Sequence, residues 1–265
     1  MLNYLRADKR KEEFVMSGHS KWANIKHKKG KTDANRGKIF TKLGRELVVA
    51  SRASGGDIND FRLKIAIENA KAENVPNENI QRAILKGTGG SEGTVYEELR
   101  YEGYGPGGVA VMIDILTDNR NRTAGEIRHI FSKNGGNMGE TGSVGWMFEE
   151  KGQLRVLREG LKLTEDDFMM MALDAGAEDL ELDEEGYVVY TTPEAMEGVR
   201  QALLDQKISV IEAVLSPIAQ NTLEITDSEQ ARKIVHLMDT LEDHDDAQGV
   251  YSNFELADAL ADEDF

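Results

Sequence analysis

The chain contains no cysteine. That removes disulfides, thiolate metal sites and cysteine nucleophiles, and it fits a reducing cytoplasm. Only four prolines stand beside 26 glycines, so tight turns are expected to outnumber rigid linkers. No apolar run approaches the ~18 residues that a membrane helix needs. The opening residues 1–15 have no apolar h-region after their charges, which excludes a secretory signal. Asp8, Glu12 and Glu13 argue against a transit peptide, which is poor in acids.

Catalytic signatures are equally scarce. There is no Cys-His pairing and no H-E-x-x-H pattern. Carboxylates abound from Glu165 to Glu185, yet none forms an isolated pair in an apolar setting, as acid/base work requires. Gly103–Gly108 lacks the Gly-Lys-Ser/Thr of a phosphate loop, and Gly135–Gly142 lacks the Rossmann spacing; both read as mobile loops. His236, Asp239, His244, Asp245 and Asp246 match no closed zinc spacing and read as a solvated acidic helix end. A non-enzyme is expected, with no cofactor, no metal and no small-molecule substrate.

What the chain does have is charge, unevenly placed. Met1 to Gly90 carries 19 Lys+Arg against 10 Asp+Glu, and Ser91 to Phe265 carries 13 against 38. Ser17 to Arg52 alone holds 10 basic and 2 acidic residues. A basic head on an acidic body holds a polyanion at one place and repels it elsewhere. With 265 residues, 40% hydrophobic and 30% charged, the chain is long and apolar enough for two or three folded domains.

The spacing predicts a helical head. Ser20 to Lys29 is a short basic helix anchored by Trp22 and Ile25. Asn35 to Ser54 repeats Ile39, Phe40, Leu43, Leu47 and Ala50 at helical intervals, with Lys38, Lys42, Arg45 and Arg52 away from that stripe. Ser54-Gly55-Gly56 stops it. Asp57 or Asn59 caps a second helix, and Pro76-Asn77 starts a third that Gly87 ends. Residues 17–88 thus form a basic all-α bundle, and Gly87 to Gly93 reads as a flexible linker.

Strands and helices alternate beyond the linker. Val95–Glu102 and Val109–Leu116 read as strands, Arg122–Lys133 as a helix and Val144–Glu149 as a strand. Gln153–Leu157, Thr164–Ala175, Asp179–Leu182, Tyr187–Thr191, Pro193–Gln206 and Ser209–Leu215 then follow in the order β-α-β-β-α-β, which is ferredoxin-like. If that series closes on itself, Leu223–Ile225, the helix Ser228–Leu241 and the strand Gly249–Phe254 must complete the domain begun at Val95. The fold class expected is a multi-domain α and α+β protein. An N-terminal helical bundle precedes two ferredoxin-like α+β domains, the third inserted in the second. The boundaries expected are 17–88, then 92–149 plus 218–256, with 150–217 inserted and 257–265 an acidic tail.

The candidate binding residues follow from the charge. Phosphate oxygens call for flexible cationic donors, which Lys21, Lys26, Lys28, Lys29 and Lys31 supply, with His27 beside them; Arg36, Lys38, Lys42 and Arg45 extend the set. Trp22 is either a stacking platform for a base or a core anchor. In Thr117 to Thr123, Arg120 and Arg122 sit near a helix N-terminus, which favours a phosphate or a carboxylate; the alternative is a capping turn with two solvated arginines.

Longer strings carry a resemblance. Met16-Ser-Gly-His-Ser-Lys-Trp-Ala-Asn-Ile-Lys-His-Lys-Lys-Gly30 is similar to the opening of the YebC family. So are Asp33 to Lys42, Tyr101 to Gly108, Thr117 to Thr123 and Gly135 to Gly139. The resemblance runs from Met16 to about Leu223 and beyond. It implies a three-domain, cytoplasmic, non-enzymatic protein. Bacterial members are described as DNA-binding transcriptional regulators. Mitochondrial relatives are translational activators, and some bacterial members are described as ribosome-associated factors that help translation through proline-rich stretches. The resemblance leaves DNA and RNA both open. Residues 1–15 fall outside the pattern, and Lys11-Glu12-Glu13 can be encoded by a purine-rich ribosome-binding sequence. The expectation is therefore a natural start at Met16 with a translated leader before it, or else a short disordered tail.

Overall fold

The computed structural model describes residues 33–89, 95–182, 186–260 and 263. The expected helix Ser20–Lys29, residues 90–93 of the glycine linker and residues 261, 262, 264 and 265 of the acidic tail lie outside the described residues. Among the described helices none is long and apolar enough to cross a membrane.

Among the described residues three helices form the head: α1 (Asp33–Ser54), α2 (Phe61–Ala72) and α3 (Asn77–Thr88). Their facing apolar stripes bury Leu47, Ala50, Leu63, Ala66, Ala70, Val75, Ile80 and Ile84, with Phe40 and Leu43 packed alongside. The cap of α2 is Asp60, whose carboxylate accepts from the Leu63 amide, and neither Asp57 nor Asn59. Asp57 is otherwise engaged, since it accepts from both the backbone and side-chain nitrogens of Asn59. Gly87 does not end α3. It lies inside the helix where α1 crosses, and a Cβ there would sit 2.6 Å from the Val48 carbonyl and 2.7 Å from Ser51 Cβ. Ser51 Oγ donates across the same crossing to the Ile84 carbonyl at 2.8 Å. Gly87→Ala is therefore expected to destabilise the head by about 1–3 kcal/mol through overpacking, despite alanine's better helix propensity; chemical denaturation reads it.

The second unit is a four-stranded sheet in the order β3-β1-β2-β9, all antiparallel. Its strands are β1 (Glu97–Tyr104), β2 (Ala110–Thr117), β3 (Asn137–Met138) and β9 (Ala247–Ser252). Helices α4 (Arg120–Lys133) and α7 (Ser228–Glu242) contribute Ile127, Phe131, Ile234, Leu237, Met238 and Leu241 to its main core. The layout is ferredoxin-like but permuted: the strand that should follow β3 is β1, which has moved to the front of the chain. A parallel pair of β8 (Leu223–Ile225) with β10 (Phe254–Leu256) borders the same core.

Between β3 and β8 the chain builds the third unit, with sheet order β5-β6-β4-β7. Here β4 is Phe148–Leu157, β5 Asp179–Leu182, β6 Gly186–Thr191 and β7 Val210–Ala219; α5 (Glu165–Asp174) and α6 (Met196–Asp205) join them. All neighbours are antiparallel, as a ferredoxin-like β-α-β-β-α-β order requires. Two expected strands, Val144–Glu149 and Gln153–Leu157, merge into β4 beginning at Phe148, because β7 pairs with it without a break from Phe148↔Ala219 to Arg155↔Glu212. Strand β7 runs past the expected stop at Leu215 and through Pro217. A proline is tolerated because β7 is an edge strand.

The head is fastened to this third unit. Ile65 of α2 is part of its core beside Phe168, Met196 and Val199. Arg200, only 4% exposed, is gripped by Glu197 at 2.7 Å and by Glu68 of the head at 2.8 Å, while Lys64 reaches Glu197 at 3.0 Å. Gly103–Gly108, expected as a mobile loop, is a fixed turn. The Gly105 amide donates to Val109 O at 2.8 Å, Pro106 is buried, and Gly107 at φ 72° closes against Gln230 of α7.

Candidate nucleic-acid interface

With its apolar stripe turned inward, α1 presents Lys38, Lys42 and Arg45 on one flank. That flank meets the C-terminal end of α7, where the last carbonyls lack intrahelical partners and carry the negative end of the helix dipole. Lys42 Nζ donates to the Glu242 carbonyl at 2.6 Å. Lys38 Nζ lies 3.1 Å from the Asp243 carboxylate and 3.4 Å from its carbonyl. Arg45 donates to the Asp245 carbonyl at 2.6 Å and to Asp246 Oδ1 at 2.8 Å. Arg45 and Lys86 also approach the ring of Tyr96, at 5.7 and 5.8 Å from its centroid.

Asp246 is the hub of this seam. It is 2% exposed, and its second oxygen accepts from Arg122 at 2.7 Å, Thr123 at 2.7 Å and Thr117 at 3.2 Å. Burial pushes the carboxyl upward, but the Thr123 and Arg122 donors and the Arg122 and Arg45 charges outweigh it and hold Asp246 below the ordinary carboxylate range. The motif Thr117 to Thr123 shapes this receptor. Asn119 caps α4 by accepting from the Arg122 amide at 3.1 Å. Thr117 Oγ1 accepts from the Asn119 amide at 2.9 Å and lies 2.8 Å from Thr123 Oγ1. The carboxylate that a helix N-terminus favours is thus supplied by the chain itself.

Glu126, His244 and Asp246 place ligand atoms within 4.8 Å of one another, near enough for a metal ion. Both nitrogens of His244 and both oxygens of Asp246 are already engaged. His244 Nδ1 accepts from the Asp246 amide at 3.1 Å, so a neutral ring carries its proton on Nε2 and donates to Glu126 at 2.9 Å. Asp246 faces two guanidinium groups, which oppose a further cation. The cluster acts as a hydrogen-bonded brace. Asp246 is thereby corrected from a solvated helix end to a buried one.

The candidate residues thus divide. Lys21, Trp22, Lys26, His27, Lys28, Lys29 and Lys31 lie outside the described residues, and Arg36 is on α1 with its side chain outside them. Lys38, Lys42, Arg45 and Arg122 are brought together, but onto the chain's own carbonyls and carboxylates. Arg120 is exposed, and its guanidinium holds no hydrogen bond or ion pair with a described residue. Sequence reasoning missed Asp246, since a burial signal in a His-Asp-Asp run comes only from its distance to α1 and α4 in the fold.

Comparison with known proteins agrees along nearly the whole chain. The TACO1/YebC protein N-terminal domain matches residues 20–90, and the TACO1/YebC second and third domain matches residues 96–254. A relative from Desulfitobacterium hafniense, named "Probable transcriptional regulatory protein", is 70% identical over 250 residues, covering 94% of this chain and 99% of the relative. One of the same name from Pelotomaculum thermopropionicum is 55% identical over 244 residues, covering 92% and 100%. The crystal structure of a conserved hypothetical protein from Aquifex aeolicus superposes with a TM-score of 0.84 at 46% identity, covering 89% of this chain and 97% of that one. With both of its domain signatures in place and in order, the chain belongs to the TACO1/YebC family.

Proposed function

We propose that this protein is a non-enzymatic, cytoplasmic regulator of gene expression that binds nucleic acid head-first, as a DNA-binding transcriptional regulator. One observation carries the reading. The basic side chains of α1 and α4 that pair within the fold, Lys38, Lys42, Arg45 and Arg122, are occupied by the body, so phosphate contact falls to the stretch Lys21–Lys31, with exposed Arg120 in the first turn of α4 as a further contact. The names of the relatives support a regulator. Crosslinking in cells, followed by recovery of the attached nucleic acid, tests it: promoter DNA is expected.

A second reading is favoured by the body itself, where 38 Asp+Glu stand against 13 Lys+Arg beyond Gly90. Such a surface repels a long duplex lying along it. A basic head that reaches into folded RNA while the acidic lobes stay in solvent makes the protein a ribosome-associated translation factor. Recovery of ribosomal RNA, with stalling on proline-rich messages when the gene is removed, selects this reading over the first.

A further inference from the structure

The segment between β3 and β4 is built around a buried carboxylate. Glu102 of β1 is 6% exposed, and it accepts from the amides of Gly142 at 2.8 Å and of Val144 and Gly145 at 2.7 Å each. Burial pushes its carboxyl up, but these three donors and the Arg100 charge outweigh it and hold Glu102 below the ordinary carboxylate range. Further ties hold the same segment. Tyr104 Oη donates to Ser143 O at 2.8 Å, the Gln220 amide donates to Met147 O at 2.8 Å, and Val144 and Phe148 sink into a small core with Ala110 and Met112.

This clamped segment ends in the turn Gly145–Met147, which displays Trp146 at 68% exposure. Its indole N–H donates to Ser143 O at 3.3 Å, which fixes the ring on its own loop. Among the described residues no ring or cation stacks on the exposed indole face. A large aromatic held in one place and left in water is the usual anchor of an interface, because little entropy remains to be lost on binding.

Charge decides what the anchor takes. From Asn134 to Glu150 the sequence has three carboxylates, Glu140, Glu149 and Glu150, and no cation. Of the cations on the adjoining strands, Arg100 is paired with Asp114 and Glu150, and Lys151 with Glu149 and Glu178. Glu140 is exposed and holds no ion pair with a described residue. A phosphate backbone finds no cation within this segment, whereas a guanidinium or ammonium finds a tryptophan face on a segment of net negative charge. We infer that the Trp146 turn docks an arginine- or lysine-bearing segment of a partner protein. This surface is separate from the nucleic-acid reading and does not depend on it.

The test uses full-length protein carrying Trp22→Phe, which leaves Trp146 as the sole tryptophan. A Gly-Arg repeat peptide is titrated in, beside its citrulline counterpart and a short oligothymidylate. The Gly-Arg peptide is expected to change Trp146 emission saturably, and citrulline to abolish the effect. By anisotropy of labelled peptide, Trp146→Ala is expected to weaken binding roughly threefold to thirtyfold, as loss of one cation–π contact implies. Trp146→Phe is expected to restore part of it, with melting unchanged in both. Equal binding of the citrulline peptide, or unchanged affinity in Trp146→Ala, overturns the proposal. Quenching by oligothymidylate and not by peptide also overturns it, in favour of base stacking. Charge reversal at Lys26, Lys28 and Lys29 is expected to leave peptide binding intact, so this inference and the nucleic-acid reading fail separately.

Discussion

Replacing Asp246 by alanine is expected to destabilise the protein by roughly 3 kcal/mol, the largest loss anticipated for any single charged side chain here. The carboxylate is buried, while Arg122 retains 43% side-chain exposure and Arg45 18%. Water therefore relieves part of the penalty on the abandoned guanidinium groups, which keeps the figure at the low end for a broken buried pair. Two hydroxyls, Thr117 and Thr123, lose their acceptor at the same time. Denaturant titration should give a lower midpoint, and limited proteolysis should find α1 released from α7 first. Acid gives an independent check. The folded pKa of Asp246 lies below its unfolded value, so its contribution is complete above the ordinary carboxylate range near ~4 and drains away as pH falls through the folded value. Glu102 contributes with the same sign. Asp246→Asn should therefore be less stable than the parent at neutral pH and should narrow the gap as the solution is acidified.

Charge reversal at Lys26, Lys28 and Lys29 is the second large effect, and it should spare the fold. Binding to nucleic acid is expected to drop by roughly a hundredfold or more at moderate salt, and the slope of log affinity against log salt should shrink by about 2–3, one counterion per lost phosphate contact. Melting should be unmoved. Lys38→Glu and Arg45→Glu give the opposite pattern: both lose stability by opposing the acidic end of α7, and any change in binding follows from a loosened head. A reversal at Lys26, Lys28 and Lys29 that leaves affinity and salt slope unchanged would remove the head-first reading.

Much of the architecture could be read from periodicity. The stripe Phe40, Leu43, Leu47, Ala50 belongs to a helix of one amphipathic face, and α1 lies where it predicts. The β-α-β-β-α-β series is ordered by alternation and turn residues, and the sheet order β5-β6-β4-β7 follows from it. Departures occur where long-range contact decides. Gly87 looks like a stop signal, because a missing Cβ serves a helix end and a helix crossing equally well. Pro217 looks like a strand end, and only the edge position of β7 makes it admissible. For the candidate site, cation identity was legible and cation destination was not. Lys38, Lys42 and Arg45 have the composition of a phosphate-binding face, and their acceptors lie some two hundred residues further along the chain at the end of α7. Glu102 was invisible for the same reason, since amides that converge on a carboxylate leave no mark in residue type.

The register of β4 against β7 has one further consequence. Phe148 and Ala219 face each other across the ladder, so the chain leaves the second sheet and returns to it at adjacent points. A segment whose two ends are neighbours can be excised and the gap bridged by a tight hairpin, without stretching its host. The host's own strands β1, β2, β3 and β9 would keep their pairing partners. The third unit is thus tied to the second sheet by a ribbon only two strands wide, and its other attachment is the packing of α2 against it.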